Sequence, residues 1–400
     1  MQWSPIYKNN LTLKIEYLMR KEVVVVSGMG VMTPLGNTVE QLWQNILQQK
    51  CAAKHWDDLE TEGFRTSIAC RLTDSTIPQD GTRGQMMALR AVEQALKQAN
   101  IEINRDVGVF VGTTMGESFA FEEAASGKPL DLSKATGTVF ATAIQKHFNL
   151  EGPTAVFGTA CAAGNYAIGA AAQAVRSGRV KVAIAGGLDP FSRIAMVGFS
   201  RSRAMTPDFC RPFDVNRKGM QLGEGAAFLI LESYENVLKR KEAPLAIIGE
   251  LGLSCDAYHQ TKPNEDGYEM GQAMHNALKA TGIKSGQVNW ICAHGSGTIA
   301  SDAAEALAIH NIFGERNTLV SGLKGALGHS LGAATAIEAV ICVQSLLHNT
   351  VPPTVNHIEL PSDFGIKIAA EPFKMENMDW VLNCGYAFGG INSALLIGKV

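Results

Sequence analysis

The chain has 400 residues, 35 Lys+Arg against 38 Asp+Glu, a formal net charge of -3, and 46% hydrophobic residues. That apolar fraction excludes intrinsic disorder and supplies a large core. The near-neutral balance excludes the basic footprint that nucleic-acid binding needs. Eight cysteines stand at 51, 70, 161, 210, 255, 292, 342 and 384 without a C-x-x-C pair, which argues against a disulfide or zinc framework and fits a reducing cytoplasm. At about 100–200 residues per domain, the length allows two to four domains or one large duplicated unit.

Residues 1–20 hold no apolar stretch of signal-peptide length and read as a poorly packed extension, with Met19 as an alternative start to Met1. From residue 23 onward, short β-rich runs alternate with helical patterns. Strands are expected at 23–27, 107–112, 155–157, 180–185, 227–231, 245–249, 289–293, 318–321, 365–368, 380–383 and 394–397. Helices are expected at 38–48, 85–99, 137–148, 161–177, 267–281, 301–313 and 331–347. Continuous apolar strands alternating with helices predict a parallel-rich sheet covered on both faces. The pattern restarts near 245 after the charged stretch 235–242, so two similar α/β halves are expected without an obvious sequence repeat. No apolar run reaches membrane-spanning length. The most apolar helical segment, 160–175, carries Asn165 and Gln173 and reads as a buried helix.

Gly158-Thr159-Ala160-Cys161-Ala162-Ala163-Gly164 joins a strand to that helix. A thiol at a helix N-terminus meets free N–H groups and the positive end of the dipole, both of which favour the nucleophilic thiolate. A buried, inert cysteine is the competing reading. Two histidines sit on glycine-flanked turns: His294 in His294-Gly295-Ser296-Gly297-Thr298, and His329 in Lys324-Gly325-Ala326-Leu327-Gly328-His329. Glycine lets each imidazole sit where a ligand reaches it. Singly, each reads better as a structural histidine and Lys324 as a surface lysine; together with Cys161 they form a candidate constellation. Metal catalysis is disfavoured, because neither histidine belongs to an H-x-x-x-H pair. Phosphate cradles fail too. Gly28-Met29-Gly30-Val31-Met32-Thr33 lacks the third glycine of G-x-G-x-x-G, and there is no G-K-[ST].

The blocks GTACAAG, AHGSGT, LKGALGHSLGAA and YAFGGINSALL, with FSRSRAMT, RPFD, LGEGAA and CDAYH between them, resemble the elongating β-ketoacyl-acyl-carrier-protein synthases. The resemblance runs from residue 23 to the C-terminus. It implies a thiolase-like α/β fold: two similar βαβαβαββ halves in five α-β-α-β-α layers, residues 21–243 carrying the nucleophile and 244–400 both histidines. It also implies the reaction, a decarboxylative Claisen condensation. Cys161 would take an acyl group from a thioester, and His294 and His329 would assist malonyl decarboxylation and stabilise the enolate. Lys324 would set the electrostatics and orient the second histidine, with Glu338 as a supporting acid. The N–H groups of Cys161 and Phe388 would form the oxyanion hole, and Phe388 would gate the acyl pocket. Ser296 and Thr298 would meet the phosphopantetheine arm, with Phe199 and Gly389 also contacting substrate.

No cofactor of its own is implied, since phosphopantetheine arrives on the acyl carrier protein. The implied partners are that carrier, acyl and malonyl thioesters, and a second subunit. The second subunit would be a copy in a homodimer or a chain-length-factor-like chain in a heterodimer; no nucleic acid or membrane is implied. Lys54, Arg201, Arg203 and Lys218 are candidate contacts for an acidic carrier, and singly read as solvated charge. Several positions depart from the common family pattern: Ala162-Ala163 after the cysteine, Ser296 for Thr, no Lys in Ser301-Asp302-Ala303-Ala304-Glu305, and Ala387 before Phe388. They point to specialised polyketide rather than housekeeping synthesis. Two alternatives remain: a malonyl decarboxylase without condensation, and a non-catalytic chain-length-factor-like partner.

Overall fold

Eleven strands hydrogen-bond into one sheet in this computed structural model, which describes residues 23–59, 64–314 and 318–400. The expected extension 1–20, with both candidate starts, lies outside the described residues. In chain order the strands are β1 (Val24–Met32), β2 (Gly108–Gly112), β3 (Thr154–Phe157), β4 (Val182–Asp189), β5 (Gly225–Ser233), β6 (Ala246–Cys255), β7 (Val288–Ala293), β8 (Leu319–Gly322), β9 (Lys367–Ile368), β10 (Trp380–Ala387) and β11 (Ile391–Gly398). Each overlaps one expected run, but several are longer. β1 continues through Gly28 and Gly30, which the sequence marks as punctuation. A Cβ at Gly28 would lie 2.1 Å from Ala95 O, and one at Gly30 would lie 1.9 Å from Ala91 O. These glycines therefore serve close packing of a helix on the strand, not a turn.

The sheet order is β9-β8-β7-β10-β11-β6-β1-β5-β4-β2-β3. Strands β3-β2-β4-β5-β1 and β8-β7-β10-β11-β6 follow the same order, counted from the first strand of each set. In both sets the first strand is antiparallel to the last, the last is antiparallel to the fourth, and the remaining pairs are parallel. The halves meet through a short antiparallel pairing, Val24–Val26 against Ile248–Ala246. The chain thus repeats one topology without repeating its sequence.

The principal helices are α1 (Val39–Leu47), α2 (Arg83–Ala99), α3 (Thr138–Phe148), α4 (Ala163–Arg176), α5 (Arg193–Arg201), α6 (Tyr268–Thr281), α7 (Ile299–Phe313) and α8 (Ala334–His348). α5 was not among the expected helices. It is short, and Ser192 starts it by accepting from Ala195 N at 3.1 Å.

Alternation along the strands separates three cores. Phe228 and Ile184 face Met87 and Ala91 of α2 and Phe140 of α3. Ile291, Leu382 and Leu396 face Met274 of α6 and Phe313 of α7. Leu229 of the first half and Val381 and Leu395 of the second share one core with Ala171 of α4 and Val340 of α8. Helices, half-sheet, helices, half-sheet and helices therefore stack in five layers, with α4 and α8 in the middle: a thiolase-like α/β fold.

Close packing in the middle layer explains its Ala/Gly composition. A Cβ on Gly164 of α4 would lie 2.6 Å from Ala336 N of α8. Asn165 is wholly buried, yet its amide donates to Asn383 O at 3.0 Å and accepts from Asn383 Nδ2 at 3.0 Å. Among the described residues, Leu331–His348, with mean hydropathy 1.5, is the helical segment long and apolar enough to cross a membrane by length and composition. The sequence reading gave the most apolar helix to 160–175, its neighbour; both serve this core.

Candidate active site

The two middle helices begin alike. After β3 the chain enters a left-handed residue, Ala160 (φ 48°), then a tight turn over Ala160–Ala162 that opens α4. After β8, a helical turn at Lys324–Leu327 and Gly328 (φ 69°) lead to left-handed Leu331 (φ 53°) and a matching turn that opens α8. Side chains rarely tolerate this backbone region. The two turns set Cys161 and His329 at neighbouring helix starts. His294 follows β7, where Gly295 (φ 44°) brings the backbone so near Gly322 that a Cβ would lie 2.9 Å from its Cα.

His329 Nε2 lies 3.0 Å from Cys161 Sγ, and the two imidazole rings meet edge to face with centroids 5.3 Å apart. One ligand atom from each of Cys161, His294 and His329 falls within 4.8 Å of the other two. Leu331 N–H donates to His329 Nδ1 at 3.2 Å, so the neutral ring carries its proton on Nε2 and presents a donor to the sulfur. Burial, then the Lys324 charge, push both histidines well below the ordinary imidazole range, so both are neutral. Cys161 behaves differently from the expectation for a helix terminus. Burial pushes its thiol up to about 12, against smaller downward pulls from Lys324 and its own backbone N–H. The resting group is a thiol.

Lys324 is 1% exposed, which removes the surface-lysine reading. Its ammonium donates to Glu338 Oε1 at 2.6 Å and to His294 O at 2.5 Å. The resemblance assigns it to orienting the second histidine; the structure puts it on the backbone of the first. Burial lowers the ammonium, but Glu338, joined by Cys292 and Glu305, outweighs it and holds Lys324 above its usual value. Burial pushes Glu338 up to about 7 even beside Lys324, and its Oε2 has no partner.

A cleft of about 250 Å3 reaches these three groups, and Phe199, Ser296, Thr298 and Phe388 also line it. Ser296 and Thr298 hydroxyls bond each other at 2.9 Å. Phe199, on α5, tilts against Phe388 with ring centroids 5.9 Å apart, and Phe388 is 40% exposed at the β10–β11 turn. The Phe388 amide has no backbone partner among the described residues, whereas those of Gly389 and Gly390 bond Gln260 O at 2.8 Å and Ala387 O at 3.0 Å. Gly389 (φ 86°) is not part of the lining; it anchors the turn behind Phe388.

Sequence reasoning missed the acids that hold these loops. Glu305 accepts from His294 N at 2.7 Å and Gly295 N at 2.8 Å. Asp302 accepts from Gly297 N at 3.1 Å and Phe213 N at 2.7 Å. The signal was present: two acids three residues apart in the first turns of the helix after the histidine loop. Asp189, a lone acid ending an apolar strand, accepts from Gly332 N at 2.7 Å and Thr113 Oγ1 at 2.6 Å, tying β4 to the start of α8.

The fold and this constellation define a class: a thiolase-like enzyme architecture with a cysteine and two histidines in one cleft. The β-ketoacyl synthase N-terminal domain matches residues 21–236 and the C-terminal domain residues 245–357. The chain belongs to the β-ketoacyl synthase family. It is 34% identical over 415 residues to the 3-oxoacyl-acyl-carrier-protein synthase 2 of Coxiella burnetii, covering 96% of this chain and 100% of that one. Among solved structures it resembles the ishigamide ketosynthase/chain length factor, at 33% identity and TM-score 0.89 over 95% of this chain and 100% of that chain. It also resembles AntDE:AntF, a type II polyketide synthase acyl-carrier protein in complex with its ketosynthase, at 27% identity and TM-score 0.89 over 95% and 100%.

Proposed function

We propose that this chain condenses an acyl group held on Cys161 with the carbon nucleophile formed when a malonyl thioester loses carbon dioxide. The observation that carries the reading is the 3.0 Å contact of His329 Nε2 with Cys161 Sγ, with His294 in the same cleft. Cys161 attacks the incoming thioester carbonyl, and its thiol proton ends on the departing phosphopantetheine thiol. A thioester suits both halves of the reaction, because sulfur attacks well and leaves well. Malonyl decarboxylation then leaves an electron pair delocalised as an enolate. The neutral His329 Nε2–H, with His294 beside it, donates toward the developing oxyanion in a dry site. The enolate carbon attacks the acyl carbonyl, and Cys161 leaves and regains a proton.

The unpartnered Phe388 amide and the Cys161 N–H form the oxyanion hole of acyl transfer, and the Phe199–Phe388 pair gates the acyl chain. Ser296 and Thr298 hydroxyls receive the phosphopantetheine arm. The carrier is the acyl carrier protein, whose acidic surface meets exposed Arg201 and Arg203 on either side of Ser202, a residue of the cleft lining. The second subunit is a copy of this chain or a chain-length-factor-like partner, as the ketosynthase structures with such partners support. The product serves fatty-acid or polyketide synthesis, and Ala387 and Ser296 favour the polyketide side. Eight free cysteines fit a reducing cytoplasm. The test incubates the protein with malonyl-carrier and a panel of acyl-carrier thioesters and weighs the intact chain. A β-ketoacyl product, with an acyl adduct on Cys161 that Cys161→Ala abolishes, is expected. Folded protein that yields neither adduct nor product across the panel refutes the reading.

A further inference from the structure

We propose that Asp189 is a positioning residue for His329: it anchors the turn that fixes the imidazole proton on Nε2, the atom facing the Cys161 sulfur. Only the kinetic consequence rests on the condensation reading; the tautomer is a property of the resting chain. Asp189 ends β4 wholly buried, and its carboxylate is shared between two loops. Oδ1 accepts from Thr113 Oγ1 at 2.6 Å, Thr114 N at 3.1 Å and Met115 N at 2.9 Å, all just after β2. Oδ2 accepts from Thr114 N at 2.9 Å and from Gly332 N, in the turn that opens α8, at 2.7 Å.

Gly332 follows Leu331, whose left-handed backbone (φ 53°) a side chain rarely adopts. Such a residue persists only where its surroundings over-determine it. The residue after it is wedged: a Cβ on Gly332 would lie 2.7 Å from Thr113 Cα, and one on Gly187 of β4 would lie 2.5 Å from Gly332 O. His329, two residues before, is pinned as well, its N–H donating to Gln221 O at 2.6 Å and its carbonyl accepting from Gly223 N at 2.9 Å. Between these anchors, Leu331 N–H donates to His329 Nδ1 at 3.2 Å. That bond makes Nδ1 the acceptor and leaves the proton on Nε2, 3.0 Å from Cys161 Sγ. Without the Asp189 anchor, Leu331 relaxes toward ordinary backbone, its N–H turns away from Nδ1, and the two tautomers compete. The Nδ1–H tautomer presents a lone pair, not a donor, where the enolate oxygen forms.

The experiment uses the full chain labelled with nitrogen-15 histidine. Long-range proton–nitrogen correlation spectra separate a protonated ring nitrogen from one with a lone pair, and His329→Ala assigns the ring among the nine histidines. Wild type should show Nε2 protonated and Nδ1 bare. Asp189→Asn keeps the size of the side chain, but its oxygen stays with the three donors after β2 and its amide nitrogen then faces Gly332 N–H. It should convert a measurable share of His329 to the Nδ1–H form, lower condensation about 10²–10³-fold as for a lost oxyanion donor, and leave Cys161 acylation near the wild-type rate. Gly332→Ala breaks the same anchor from the other side and should give the same spectrum. Thr113→Val removes a bond to Oδ1, spares Gly332, and should keep the wild-type tautomer. Wild type protonated on Nδ1, or either anchor variant folded with the wild-type tautomer, overturns the proposal. Should neither variant fold, amide hydrogen exchange of wild type decides: Leu331 and Gly332 protons protected together support the anchor, and a Gly332 proton that exchanges well before that of Leu331 overturns it. A chain with the expected tautomer that fails to condense acyl groups would leave Asp189 in this role and remove only the reaction.

Discussion

Replacing Lys324 with Met tests how the buried charge pair divides its work between stability and chemistry. Lys324 and Glu338 are 1% and 2% exposed, and their charged atoms lie 2.6 Å apart. Removing one partner of such a pair leaves a buried charge without its counter-ion and costs about 3–5 kcal/mol. The His294 carbonyl also loses its 2.5 Å donor, for about 1–3 kcal/mol when a buried acceptor is left unmade. The carboxyl has an escape that a permanent charge lacks. Burial already pushes Glu338 up to about 7 beside Lys324, and without the lysine its value rises further. A carboxyl whose folded value lies above its unfolded one stabilises the fold below the unfolded value, near 4.5, and loses that stability as pH rises through the folded value.

Lys324→Met should therefore be modestly destabilised at pH 6 and more so at pH 8, by about 1.4 kcal/mol for each unit titrated. Urea denaturation at the two pH values reads the difference. Lys324→Met/Glu338→Leu should recover most of the stability, since well-packed apolar replacement of a buried pair is often neutral or favourable. Acyl transfer should stay low, because nothing then holds the His294 carbonyl. A single variant equally stable at pH 6 and 8, or a double variant that restores condensation, refutes the argument.

The raised Cys161 thiol predicts that iodoacetamide labelling of that residue climbs about tenfold per pH unit from 7 to 9, without a plateau, because its value lies near 12. A plateau in that range would mean that the helix terminus outweighs burial. Glu117 is fully buried, accepts from Gly84 N at 3.0 Å through one oxygen, and leaves its other oxygen unpartnered. Burial pushes it up to about 8, so the native state holds a proton that the unfolded chain releases above about 4.5, and stability should fall as pH rises between the two. Glu117→Gln should flatten that slope by about 1.4 kcal/mol per unit in denaturant titrations, and an unchanged slope would show that another group carries it.

What the sequence made legible was local. Apolar runs announced all the main strands, and the glycine-flanked segments offered His294, His329 and Cys161 as candidates that singly read as structural. What it hid depends on contacts between distant residues. The first strand was expected to stop at residue 27 because Ala95 and Ala91, whose backbone oxygens Gly28 and Gly30 admit, belong to a helix more than sixty residues away. Lys324 read as a surface residue because Glu338, one turn into the helix that starts at Ala334, gives no local sign of facing it. The thiol read as activated because a helix start is visible in sequence and burial is not. The site itself follows from the duplication. Ala160 and Leu331 occupy the same left-handed position at the starts of α4 and α8, and Gly164 against Ala336 lets those helices approach closely enough for their first turns to touch. One copy of the motif then sets a thiol at its helix start and the other an imidazole. A single half presents one or the other, so the 3.0 Å contact between sulfur and imidazole exists because two divergent copies share one middle layer.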